Sequence, residues 1–242
     1  MHKVDNEKKI NKLSPKFLFS NLRGIFLSPG DTFLRIKQKP YWLIPFIAVL
    51  LCSSIASYLV FPTQLKISLK KSADHFALAG LGEEMPPERL TAFEEAGAYL
   101  AAGTTILKKI LLLLLVSCVI FVVGNLISFS YATFEQVFTI TCHSCLITSI
   151  SALILAPAIN HFEITDLTSL GPILFDRVDP SSFLQGLLSN SSFEIFTIWT
   201  VVVLGIGTAQ IYSWSTRKGI VILLALWGIQ LLFRTSITVL FA

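Results

Sequence analysis

Apolar runs long enough to cross the roughly 30 Å hydrocarbon core of a bilayer, about 20 helical residues each, dominate the pattern of this chain. There are five, at residues 41–61, 106–131, 134–159, 193–214 and 218–242. Backbone groups in lipid must be paired within their own segment unless a barrel closes, and these runs lack the alternation of barrel strands. The pattern therefore predicts an all-α polytopic membrane protein with five transmembrane helices. No internal repeat is evident, so an inverted-repeat transporter is unsupported.

The links between spans differ in kind. "SYATFEQ" joins the second span to the third and "WSTRKG" the fourth to the fifth, which predicts two tight antiparallel hairpins. In the long link at 62–105, Leu65, Leu69, Ala73, Phe76 and Gly80 recur at helical spacing, Pro86 and Pro87 interrupt, and Leu90, Phe93, Gly97 and Leu100 form a second stripe. Two amphipathic helices, lying on the membrane surface or folded over the bundle, are expected there. The link at 160–192 is acidic and punctuated by Gly171-Pro172 and Asp179-Pro180.

Residues 1–40 form a polar segment of their own. Ser28 fits a helix N-cap, Pro29 the first helical position and Asp31 the acid three residues after the cap. Phe33, Leu34 and Ile36 then share one broad face, with Arg35, Lys37 and Lys39 supplying charge before Pro40 stops the run. A short amphipathic helix at 29–39 is expected to dock on anionic lipid or a partner, each basic residue near the lipid contributing about 1 kcal/mol. Tyr41 and Trp42 would follow it as an aromatic belt.

Composition agrees with the pattern: 53% of the 242 residues are apolar and 14% charged, with a mean hydropathy of +0.71. Net charge is +4, but nine of the 19 Lys and Arg precede residue 41. That asymmetry places the N-terminus in the cytoplasm and, after five spans, the C-terminus outside. Arg217 and Lys218 in the last hairpin agree, whereas Lys66, Lys70, Lys71, Arg89, Lys108 and Lys109 lie on the less favoured side. The basic residues lack interleaved aromatics, so nucleic acid is not an expected partner. The 41–61 run continues past its small-residue stretch, which favours an uncleaved first span over a signal peptide.

Candidate chemistry is sparse. "CHSC" at Cys142 to Cys145 has neither a second Cys pair nor a partnered His at ligand spacing, with His2, His75 and His161 scattered elsewhere, so core thiols and a packed His are expected rather than a metal site. Thr141, Ser144 and Thr148 share a helix face, and Asn125 and Gln210 are further intramembrane polar residues. Helix packing through small and hydroxyl side chains is the first reading of these; a polar path for a solute is its rival. Counting outward from a turn at 215–218 sets Gly205 level with Gly228, where the two glycines would mark a close backbone approach, and leaves Gln210 and Gln230 inside the bundle. Arg234, the cation well inside a span, either reaches Glu194 with Trp199 beneath it or snorkels to lipid phosphates. There is no nucleotide-binding glycine loop, no HExxH and no GxSxG, so neither an enzyme nor a cofactor is expected.

Three stretches carry a family resemblance. "FLSPGDTFLRIKQKPYWLIPFIAVLL" resembles the opening segment of the bacterial Yip (Ypt-interacting protein) domain family, "TFEQVFTI" the turn that opens its third span, and "FEIFTIWTVVVLGIGTAQIYSWSTRKGIVILL" its closing hairpin. The chain departs from the family in having Tyr131-Ala132 where a Gly-Gly is usual, and in its long first outer link. The resemblance implies five helical spans with a cytoplasmic N-terminus in a bacterial inner membrane, and a scaffold or accessory role toward a membrane-protein partner or a second copy. The GTPase binding of eukaryotic relatives is not carried over, because those relatives have a longer hydrophilic N-terminal domain. A small permease or channel subunit is the alternative.

Overall fold

A computed structural model of the chain describes residues 15–38, 40–78, 87–128, 130–162 and 195–240, and the regular structure among them is α-helical throughout. The helices are α1 (Pro15–Leu27), α2 (Pro29–Gln38), α3 (Leu43–Leu78), α4 (Pro87–Ile127), α5 (Phe134–Phe162), α6 (Ile195–Tyr212) and α7 (Thr216–Leu240). Five contain stretches long and apolar enough to cross a membrane: Leu43–Ile67, Glu95–Ile127, Phe134–Phe162, Ile195–Tyr212 and Thr216–Phe233. The polytopic architecture expected from the apolar runs is the one observed.

Helix α5 is the axis of the bundle. It packs against α3 and α4 on one side and α6 on the other, while α7 packs chiefly on α6. Every residue of α5 from 137 to 144 is buried, so this half of the span is surrounded by protein, whereas α3, α4 and α7 leave many large apolar side chains exposed. Its polar residues fit that position because they are short. Ser149 meets Ser53 of α3 with their hydroxyl oxygens 2.9 Å apart, and Thr105 of α4 donates to Ser57 of α3 at 2.9 Å. Such bonds hold helices together in hydrocarbon, where water cannot replace them, at about 0.6 to 2 kcal/mol each.

The link between the first two spans is where pattern reading and structure part. The two amphipathic stripes are helical, but they prolong the spans instead of forming separate helices: α3 runs 36 residues and α4 41. At 1.5 Å per residue these are about 54 Å and 61 Å long, so both extend well past a core of about 30 Å. Pro62 lies inside α3 without ending it. Proline removes one backbone donor and crowds the preceding turn, and such breaks in membrane helices persist where a neighbour takes up the freed groups. Asn160 of α5 braces α3 on both sides of the break: its Nδ2 donates to Leu59 O at 2.9 Å, and its Oδ1 accepts from Thr63 Oγ1 at 2.7 Å. Asn160→Ala is therefore expected to lower stability by about 1 kcal/mol, read as the thermal unfolding midpoint in detergent; an unchanged midpoint would show that α3 needs no clamp at Pro62.

The closing hairpin also has a different register from the one expected. Helix α6 ends at Tyr212, Ser213 adopts a positive φ of 56°, and Trp214 N donates to Ala209 O at 2.9 Å. Ser215 then starts α7, its Oγ accepting from Lys218 N at 3.3 Å. The turn is thus tighter and earlier than one centred on 215–218. Gly205 consequently lies against Gly219 and Ile220, not Gly228, and a Cβ added at Gly228 would meet nothing within 4 Å. Gln230, expected inside the bundle, is exposed.

Candidate functional site

The end of the bundle that carries α1, α2, the α4–α5 link and the α6–α7 turn holds the densest set of designed contacts. Its first part is the corner between α1 and α2. Gly24 admits Thr32 Oγ1 where any Cβ would clash, and Thr32 Oγ1 donates back to Ser28 O at 3.0 Å while accepting from Arg35 Nη2 at 3.3 Å. The corner folds α2 beneath the bundle. Phe33 and Ile36 are 0% and 4% exposed, and the Phe33 ring lies 3.2 Å from where a Cβ on Gly207 of α6 would stand.

This corrects the expectation that the apolar face of α2 rests on lipid. Phe33 and Ile36 face protein because Gly207 leaves α6 bare enough to receive an aromatic ring. Of the predicted docking residues, Asp31 and Arg35 are exposed, Lys37 is half-buried, and Leu34 beside them is 46% exposed. Lys39 lies outside the described residues.

Below the corner, the C-terminus of α6 is capped from two directions. The last four carbonyls of a helix have no partner within it and carry the negative end of its dipole, so a cation or hydroxyl there is stabilising. Lys37 Nζ donates to Gln210 O at 2.8 Å and to Ser213 Oγ at 3.3 Å. From the α4–α5 link, Ser130 Oγ donates to Tyr212 O at 2.7 Å. The link is itself fixed at both ends: Ala132 N donates to Asn125 Oδ1 at 3.1 Å, and Thr133 and Gln136 bond each other reciprocally at 3.0 Å and 3.3 Å as a capping box. Gln136 Nε2 also donates to Lys37 O at 3.3 Å, tying the end of α2 to the start of α5. Tyr212 closes the knot, buried on the bare backbone of Gly124 and stacked on Trp214 at 5.1 Å, with Lys218 Nζ 4.8 Å from the Trp214 ring.

One layer deeper, aromatic rings join the helix ends. Phe138 of α5 contacts Trp42 at 5.6 Å, Phe46 at 5.7 Å and Phe134 at 5.9 Å between centroids, and Phe134 reaches Phe121 of α4 at 6.0 Å. Trp42 is 36% exposed and Tyr41 half-buried, the position of residues that are partly packed and partly at an interface.

Asn125, Thr141, Ser144, Thr148 and Gln210, the residues of the expected polar path, make no hydrogen bond to one another. Thr141 donates to Val137 O at 2.9 Å and Thr148 to Cys145 O at 3.0 Å, each within α5, while Asn125 and Gln210 lie at the capped end. Ser144 is fully buried with its hydroxyl unpartnered among the described residues. His143 Nδ1 lies 2.8 Å from Thr139 O, and no three potential metal ligands cluster among the described residues. Trp199 is 39% exposed on α6; Glu194 and the Arg234 side chain lie outside the described residues, so their pairing does too.

Sequence reasoning missed α1, whose Leu18, Leu22 and Ile25 stand at helical spacing, and the capping box, whose Thr-x-x-Gln signature is legible at 133–136. The cap on α6 by Lys37, 173 residues away, had no local signal.

Five membrane-length helices with a capped, aromatic-lined end define a polytopic α-helical membrane protein. The Yip1 domain family model matches residues 23–237, from the last turn and a half of α1 to within three residues of the end of α7, and the chain belongs to that family. No curated protein and no solved structure matches it significantly.

Proposed function

We propose that this protein is a non-enzymatic membrane scaffold, or accessory to a partner such as a transport system, with the capped end facing the cytoplasm of a bacterial cell. The observation that carries the reading is how the intramembrane polar groups are used. Ser53, Ser57, Ser149 and Thr105 bond helix to helix, and Thr141 and Thr148 bond their own backbone, which is the work of a fixed bundle. A permease would need such groups turned toward a shared path. The capped end supports the partner side of the reading: Arg23, Asp31, Leu34, Arg35, Arg217 and Lys218 are exposed on elements whose backbones are tied to one another. A rigid, charged surface of this kind suits docking, because little conformational freedom is lost on binding.

Affinity purification from native membranes after crosslinking is expected to bring down a stoichiometric membrane-protein partner, and Arg35→Glu to weaken its recovery. A lone protein that moves a solute across reconstituted vesicles would overturn the scaffold reading in favour of the permease. Orientation is tested separately: a cysteine replacing exposed Arg23 is expected to react with an impermeant maleimide only after the cells are opened.

A further inference from the structure

Lys108 stands near the start of the second apolar run, yet the packing of α4 carries it deep into the bundle. Phe121 of α4 meets Phe134 of α5 in the aromatic layer that also holds Trp42, and Glu135, exposed beside Phe134, needs water, so this layer marks one edge of the hydrocarbon core. Thirteen residues separate Lys108 from Phe121, about 20 Å of helix. The bond from Thr105 to Ser57 sets Lys108 level with Ser54 of α3, twelve residues or about 18 Å beyond Trp42. In a core about 30 Å thick, both counts leave about 10 to 12 Å to the opposite edge, and any tilt lengthens that. Lys108 is exposed there, without a hydrogen-bond or ion-pair partner among the described residues, and half-buried Lys109 adds a second positive charge at the same depth. Leu111, Leu115, Cys118 and Val122 are also exposed and follow Lys108 at steps of three, four, three and four, the spacing of a seam between helices.

We infer that the face of α4 around Lys108 receives a membrane-spanning helix of a different protein, one that carries an aspartate or glutamate at the level of Lys108. A charge at this depth is unfavourable unless it reaches the interface or is paired. Lipid phosphate lies beyond the edge of the core, further than the four-carbon stem of a lysine extends. A soluble anion does not enter hydrocarbon. A second copy of the chain, related by a two-fold axis along the bilayer normal, would bring Lys108 against its own image and charge against like charge. An anion carried to this depth on another helix meets none of these objections. Its carboxylate has the same need as the lysine, and the ammonium donates to it in a charge-assisted bond that neutralises both in a low dielectric. One lysine in an otherwise apolar seam also selects the partner and fixes its register. Such a partner presupposes the scaffold reading and gives that reading its chemistry.

The test places full-length protein in phosphatidylcholine vesicles with a synthetic membrane-spanning helix of leucine and alanine that carries one central aspartate, and reads association by energy transfer. Replacing that aspartate by leucine, or introducing Lys108→Leu, is expected to weaken association roughly tenfold. Lys108→Asp is expected to lose the aspartate peptide and to gain one with a central lysine, an exchange that a merely structural lysine would not give. Leucine suits an exposed position in a span, so the thermal unfolding midpoint of Lys108→Leu alone should be no lower than that of the parent. An aspartate peptide that binds no better than its leucine counterpart, or undiminished binding by Lys108→Leu, overturns the inference. A lowered midpoint overturns it by assigning Lys108 an acid of its own chain, and association that follows added phosphatidylglycerol instead of the peptide aspartate overturns it in favour of lipid. A native partner whose crosslinked recovery survives Lys108→Leu would keep the scaffold reading and remove this one.

Discussion

Gly219→Ala is expected to disrupt the α6–α7 hairpin, lowering stability by about 1 to 3 kcal/mol or more, while Gly228→Ala, nine residues along the same helix, leaves it unchanged. A Cβ on Gly219 would clash with Gly205 O and come 2.7 Å from the Ala209 Cβ. One on Gly205 would come 2.7 Å from Ile220 Cα and 3.1 Å from its backbone nitrogen. These are backbone contacts or contacts with a methyl fixed to the backbone, so no side chain can rotate out of the way, and relief requires the helices to separate. Separation would draw α6 from Phe33 and loosen the cap made by Lys37. Gly228 has open space instead, and alanine there gains helix propensity. Thermal unfolding of the detergent-solubilised variants decides it; equal midpoints for the two alanine variants would show that the hairpin does not cross at Gly205 and Gly219.

The second large effect lies in α2. Phe33→Ala removes a fully buried ring and is expected to cost about 3 to 5 kcal/mol, freeing α2 from the bundle, whereas Leu34→Ala, at a position 46% exposed, should change stability by less than about 0.5 kcal/mol. Limited trypsin digestion reads the difference, because Arg35 and Lys37 become cleavable when α2 detaches. Were α2 held by lipid alone, the two variants would behave alike. Lys37→Met should give a milder version of the Phe33 result, since the apolar contacts remain and the α6 carbonyl keeps only water or a lipid headgroup as partner.

These two cases show where legibility ended. The amphipathic pattern of 29–38 was readable, and Pro29 does begin a helix, but periodicity states only that a face is apolar. Whether lipid or protein covers it depends on Gly207, 174 residues from Phe33 in the chain, presenting bare backbone at the right height. Likewise Gly205 was recognisable as a close-approach glycine while its partner was not. A shift of a few residues in the turn, set by the positive φ at Ser213, moved the crossing from Gly228 to Gly219. Asn160 gave no signal of its own, because its function exists only opposite the Pro62 break in another helix.

The class of fold follows from the amino-acid sequence alone. Apolar runs of membrane length leave the backbone no alternative to helix, and that constraint acts on each segment separately, so it can be read without knowing any neighbour. The tertiary structure decided everything that depends on two segments meeting: α5 as the buried axis, α2 under the bundle, the cap on α6, the clamp at Pro62 and the exposure of Gln230. Lipid is as apolar as a leucine side chain, so hydrophobicity cannot sort the faces of a membrane helix. Small residues and hydrogen bonds sort them, and those act only between particular partners.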